Sequence, residues 1–411
     1  MFQCLDSVKT IKPNPKSTQQ KELTSNVNVQ IYHAIDQLPD YCFNWLETTA
    51  PTNVFLERPF LTSLVKNPPQ GMSFAYLVFT LNQECIGFAA LQIKYFKASE
   101  SLQFTNEGSA LFRKVRAWLA KKVQYNTLIC GSLLLTGENG YRFKTNVLQN
   151  KEQETQIITE ALEFAKTEMA KSGTKIQAIF IKDFFDPHQF TQNRYNQFSV
   201  EPNMIMTIDP TWKTKQDYIA ALASKYRVRT KRAFKKGEAI EKKEFNEERI
   251  IANLDKINAL YRQIADEAAF NLFHLNDQYL LGLKQSLGEN FRLFGYYLNG
   301  NLIAFYTTIR NGTTLDAHFL GYDQSLNHEY QIYLNMLYDM VEEAILGKYN
   351  KIVFARTASE IKSSVGAVPK EMYLYFRYER PLINQIIPYA LKILSPREIW
   401  TPRNPFGVGN Q

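Results

Sequence analysis

Asp316 and His318 stand two residues apart in the stretch Thr313–Leu320, with Ala317 between them. On a β-strand that spacing turns both side chains to one face. A carboxylate and an imidazole placed so can take up and return a proton, or orient a substrate. Arg356 and Lys362 follow the apolar run Lys351–Phe354, as cations able to hold a phosphate or carboxylate. Tyr322 and Tyr330 flank the start of a helical stretch, where backbone N–H groups favour an anion. A denser group lies upstream in KYRVRTKRAFKKGEAIEKK, from Lys225 to Lys243. There Tyr226, Arg227, Arg229, Lys231 and Arg232 are candidate contacts for an anionic partner. Each feature has a plainer reading beside it: strand polars satisfied by neighbours, tyrosines that pack, and charge runs that face solvent.

Other chemistries lack support. No H-E-x-x-H, G-x-S-x-G, P-loop or G-x-G-x-x-G occurs. Cys4, Cys42, Cys85 and Cys130 are widely spaced, and His33, His188, His274 and His328 are scattered, so no metal site is expected. Reduced thiols and a polar N-terminal stretch without a signal-like apolar run point to the cytoplasm.

The positions of these residues depend on the elements around them. Phe291–Leu298 and Leu302–Arg310 are apolar stretches joined by Asn299-Gly300, a type I′ hairpin signal, and Asn311-Gly312 leads into a third strand. Apolar residues from Glu329 to Leu346 then recur at helical spacing up to Gly347, and Lys351–Phe354 returns as a short buried strand. The first half has the same order: a hairpin Phe74–Leu81/Cys85–Ile93, a strand Tyr125–Leu135, a helix Thr155–Ser172, a strand Lys175–Ile181 and a strand Phe198–Ile208. A basic helix at 112–122, containing Trp118, is also expected. With 411 residues and 45 % hydrophobic content, two domains are expected. The divisions are a polar arm 1–27, a first domain 28–208, a second domain 209–380 opening with a basic helix over 215–237, and a tail 381–411. A net charge of +8 is concentrated on that helix, where Lys225, Arg229, Arg232 and Lys236 share one face.

Three segments resemble a known family. PFLTSLVKN with the hairpin to Ile93 is similar to the opening of the FemAB-like N-terminal half. DPTWKTKQDYIAALASKYRVRTKRAFKKG resembles the segment that opens the second half. HFLGYDQSLNHEYQIYLNMLYDMVEEAILGKYNKIVFARTASEIKSSVGAVPKEMYLYFR resembles its end, a helix, a strand, a small-residue loop and a Lys at 362. The resemblance implies an α/β (α+β) protein of two tandem GNAT-like (N-acetyltransferase-like) domains, each a mixed, mostly antiparallel sheet flanked by helices. It implies N-acyl transfer from an acyl-CoA, an acyl carrier protein or an aminoacyl-tRNA to an amine on an anionic acceptor, such as a peptidoglycan or other cell-envelope precursor or a lipid-like molecule. No bound cofactor or metal is implied. One departure stands out: acetyl-CoA-dependent members carry a glycine-rich loop before the long helix, and here Gly321–Tyr330 holds one glycine. The rival expectation is a non-catalytic module whose basic helix binds tRNA or membrane phosphates, at the inner membrane face.

Overall fold

The computed structural model describes residues 19–48, 52–97, 124–187, 189–190, 194–267, 272–385, 387 and 400–406. The helix expected at 112–122, His188, most of the polar arm and much of the tail lie outside these residues.

The first sheet is built from β1 (Gln19–Glu22), β2 (Asn28–Tyr32), β3 (Met72–Leu81), β4 (Glu84–Lys97), β5 (Gln124–Cys130), β6 (Tyr141–Phe143), β7 (Ala178–Phe184) and β8 (Asn196–Ser199). Asn82 and Gln83 both take positive φ, 50° and 68°, so β3 turns directly into β4. The second sheet contains β9 (Asn203–Thr207), β10 (Glu241–Glu244), β11 (Phe291–Leu298), β12 (Asn301–Asn311), β13 (Thr314–Tyr322), β14 (Lys351–Val353) and β15 (Val368–Lys370). Asn299 and Gly300, at φ 49° and 79°, close its central hairpin as the sequence predicts.

A last strand, β16 (Tyr373–Tyr378), returns to the first sheet and lies between β7 and β8, giving the order β1-β2-β3-β4-β5-β7-β16-β8 with β6 on β4. The second sheet runs β10-β11-β12-β13-β14-β9-β15. The apolar stretch Phe198–Ile208, expected as one strand, is two: β8 stays in the first sheet while β9 enters the second. β9 precedes the expected division at 208/209 and β16 follows it, so each sheet contains a strand from the other side of that division.

The helices are α1 (Asp40–Thr48), α2 (Arg58–Lys66), α3 (Lys151–Lys171), α4 (Lys215–Ala221), α5 (Ser224–Lys236), α6 (Glu247–Ala252), α7 (Leu254–Ala265), α8 (Tyr279–Leu287), α9 (Gln324–Tyr330), α10 (Ile332–Leu346) and α11 (Ser359–Ser363). Two expected helices are broken. The helix over 215–237 divides at Leu222 and Ala223, whose ψ of 143° and 150° is extended, giving α4 and α5. The helix before Gly347 divides at Gln331, which is left-handed at φ 52°.

Asn150 caps α3 through its side chain, and Thr214 with Asp217 forms a capping box on α4. α3 packs on the first sheet and α10 on the second, each over its own apolar core. A third core joins the halves, with Phe43, Phe60 and Leu64 of α1 and α2 meeting Leu260, Tyr279 and Leu283 of α7 and α8. Gly282 lets α8 lie directly against α2: a Cβ there would come 2.1 Å from the Asn67 amide nitrogen.

Candidate active site: a cleft between parted strands

β13 and β14 run parallel and pair only at Thr314–Lys351, Leu315–Ile352 and Asp316–Val353. Beyond that rung each strand follows a different neighbour. β13 continues along β12 to the Ala304–Tyr322 pair. After β14 the chain stays with β9, the Phe354 N–H donating to Met204 O at 2.8 Å and the Met204 N–H to Ala355 O at 3.1 Å. The strands therefore diverge, and the facing backbone edge of β13 has no strand partner among the described residues. A cavity of about 440 Å³ fills the gap. Ala317, His318, Phe319 and Leu320 all line it. Four consecutive residues of a regular strand could not face one surface. They do so here because the cavity passes through the sheet and because β13 is bulged opposite Thr307. The Thr307 hydroxyl accepts from Phe319 N–H at 3.0 Å and donates to Phe319 O at 2.7 Å, which fixes the bulge.

His318 lines the cavity, and Tyr279 of α8 is 2.9 Å from its Nε2. Burial pushes the imidazole down to about 3, so the ring is neutral at ordinary pH. Asp316 is on the last paired rung and does not line the cavity. Burial raises its carboxyl to about 7, with the Asn311 side chain and Lys351 acting against that rise. Its Oδ2 has no hydrogen-bond partner among the described residues. The same Asn311 accepts from the Val54 N–H of the first half, which puts Asp316 beside the contact between halves. No hydrogen bond joins Asp316 to His318 among the described residues.

Arg356 and Lys362 both line the cavity, and neither is a loose surface cation. Arg356 makes a two-pronged ion pair with the buried Asp183 of β7, and its Nε donates to Glu201 O at 3.0 Å. Asp183 also pairs with Lys182. Burial opposes the Asp183 charge, but Lys182 and Arg356 outweigh it and hold the carboxyl below its usual range. The Lys362 amine donates to Arg356 O at 2.6 Å and is only 5 % exposed. Burial pulls it down to about 7, against a smaller upward pull from Glu201. Around Arg356, the residues Ala355, Thr357 and Ala358 hold positive φ of 58°, 68° and 49°. Such a run of non-glycine residues is strained, and strain of this kind persists where the surroundings fix it. Here Asp183, Lys362 and a Thr357 N–H to Glu201 Oε2 bond of 3.0 Å fix it.

Tyr322 lines the cavity, and burial raises its hydroxyl. Tyr330 ends α9 outside the cavity, and its carbonyl accepts from the Asn335 side chain at 3.2 Å. On α5, Arg227 turns inward and donates to Leu222 O at 2.7 Å and Ala220 O at 3.0 Å, capping the end of α4. Tyr226 is half-buried against the second core. Arg229, Lys231 and Arg232 are exposed, as are Lys225 and Lys235, and none forms an ion pair among the described residues. Arg229 lowers the Glu360 carboxyl, though less than the Arg403 hydrogen bond does. The exposed row therefore reaches α11, which carries Lys362. Tyr279, Asp183 and Glu201 carry no motif, and their spacing to the candidate residues in the chain gives no sign that they meet. Among the described residues no group of three or more His, Cys, Asp or Glu is placed to hold a metal, and no helix is long and apolar enough to cross a membrane.

Residues 224–363 match a family model described as an acetyltransferase (GNAT) domain. Compared with curated proteins, the chain matches none. Among solved structures, FemX aligns at 12 % identity over 87 % of this chain and 99 % of its own, with a TM-score of 0.51. A tandem GNAT protein from the clavulanic acid biosynthesis pathway aligns at 9 % identity over 86 % and 99 %, with a TM-score of 0.48. L-PGS from Bacillus licheniformis aligns at 10 % over 82 % and 96 %, with a TM-score of 0.43. The matched segment contains the parted strands, so they lie within a domain similar to the GNAT acetyltransferase domain. Over most of its length the chain shares the fold of FemX.

Proposed function

We propose that the protein transfers an acyl or aminoacyl group from an activated ester to an amine on an anionic acceptor, with the chemistry in the cleft between β13 and β14. One observation carries this reading: the strands part beside a buried amine held near neutrality, at the end of an exposed cationic row. The donor is a thioester or an aminoacyl-tRNA, used as a substrate and not as a resident cofactor. Its carbonyl would lie along the edge of β13 that faces the gap, where backbone N–H groups can stabilise the developing oxyanion. As the amine nitrogen bonds to the carbonyl carbon it gives up a proton. Lys362, in its uncharged form, accepts that proton and returns it to the departing thiolate or ribose oxygen. His318 is assigned to orienting the reacting groups through hydrogen bonds, and Asp316, one rung behind the cleft, to the contact between halves. Arg356 and Tyr322 border the donor's path. Arg229, Lys231 and Arg232 draw the acceptor's phosphate or carboxylate to the rim. A cell-envelope precursor or lipid-like acceptor at the inner membrane face fits this charge pattern, in keeping with a cytoplasmic protein.

Labelled donors of both kinds, incubated with the protein and candidate amines, test the proposal. Lys362→Ala is expected to lower transfer by about 100-fold or more. Arg229→Glu is expected to raise the acceptor KM with little change in kcat. Unaltered kinetics in the Arg229→Glu/Lys362→Ala double variant would remove the site from consideration. The unpaired cations of α5 also support a second reading, a binding module for tRNA or lipid phosphates. Salt-sensitive binding without label transfer would favour it.

A further inference from the structure

We infer that the acyl group accepted by this cleft is bulky and apolar, an alkyl chain well beyond acetyl or a large hydrophobic side chain. The inference rests on the acyl-transfer reading and names its donor class. Tyr261, Phe319, Leu337, Met340 and Phe354 form the wall away from Lys362, Ile361 lines the cavity beside Lys362 on α11, and His318, Tyr322 and Tyr333 add polar tips. Leu337 and Met340 are each 1 % exposed and lie one helical turn apart on α10, so the cavity reaches into the core beneath the sheet. The charged groups, Arg356 and Lys362, sit together on one border, on the loop and α11. Ala317, Ala355 and Ala358 project little volume and leave the space open.

Size decides between small and large occupants. An apolar cavity of roughly 150 Å³ holds a benzene ring, and this one measures about 440 Å³. With the carbonyl, the carrier end and the amine at the Arg356–Lys362 border, an acetyl group would leave Leu337 and Met340 without a contact, which forfeits the dispersion energy that a filled cavity gains. Each methylene buried there strengthens binding by about fourfold.

The apolar acyl group could arrive on a thioester or on the 3′-ribose ester of a tRNA. Non-hydrolysable analogues of each carrier separate these sources and need no acceptor: ethyl, octyl and dodecyl thioethers of coenzyme A, and alanyl and phenylalanyl amides of 3′-amino-adenosine. On the natural carrier the larger group should bind at least about 50-fold tighter than the smaller, a discounted form of the fourfold step per methylene. The carrier that shows this is the donor type. Met340→Trp should reduce the affinity of the large member more than 10-fold and spare the small one. Ile361→Trp, at a partly exposed position, serves if Met340→Trp does not fold. Equal binding of small and large groups on a carrier that binds would overturn the inference and leave acyl transfer standing. Absence of binding by every analogue would overturn both.

Discussion

Lys362 is enclosed by protein yet keeps a hydrogen bond to Arg356 O. Burial disfavours its charged form, so the amine loses its proton near 7 and not near its ordinary value. The linkage has a definite sign. Between about pH 7 and pH 10.4 the unfolded chain binds a proton that the folded protein releases, so folding stability rises with pH across that window. Lys362→Met, similar in length and uncharged, should flatten part of the slope in a Tm-versus-pH series. Lys182, pushed down to about 8 by burial, retains the rest. The same titration predicts that wild-type transfer increases through about pH 7 as the amine becomes a base. Arg356 and Lys362 are singled out by residue type, by their place after a short buried strand and, at Lys362, by the family resemblance, and both line the cavity. The Asp316–His318 spacing was legible too, but the bulge at Thr307 and the point of parting decide which of the two meets the cleft, and neither has a sequence signature. Tyr279 reads as one more apolar helix residue, and nothing local tells that its hydroxyl reaches His318.

The loop Ala355–Ala358 depends on the ion pair that crosses from the other sheet. Asp183 is fully buried, and removing it leaves Arg356 largely enclosed without its counter-charge. Asp183→Ala should cost about 3–5 kcal/mol in chemical denaturation, and transfer should fall as the loop relaxes. On α5 the opposite holds. Arg229, Lys231 and Arg232 make no ion pair among the described residues, so the triple change to Glu should alter folding stability by no more than about 0.5 kcal/mol per site, while binding of an anionic acceptor weakens. Helix existence on this stretch was readable from its period. Its division into α4 and α5 was not, because Leu222 and Ala223 are ordinary helix formers, and the break is held by Arg227 capping the carbonyls of Ala220 and Leu222. The strands of the second half were readable for a physical reason: Asn299-Gly300 fixes a register that apolar alternation alone leaves loose.

The two sheets are not independent bodies joined by a linker. β9 crosses to the second sheet and β16 returns to the first, so neither sheet is complete without chain from beyond the other. Strand partners this far apart leave little trace in a pattern of apolar residues: the division at 380 assigns Tyr373–Tyr378 to the second domain, whereas β16 pairs with β7 and β8 of the first sheet. Gly282 belongs to the same level of organisation. Gly282→Leu would drive a side chain into Asn67 and Ser63 and should cost about 1–3 kcal/mol or more, read as earlier melting of the whole chain. The cleft is thus held open by an architecture in which both halves take part. Whether it is where the acyl group passes can be measured by filling it. Ala317→Trp places an indole between β13 and Phe354, and transfer of a labelled acyl group to amine is followed beside circular dichroism. Loss of transfer with an unchanged fold is the expected result. Full transfer through the plugged cleft would contradict the account.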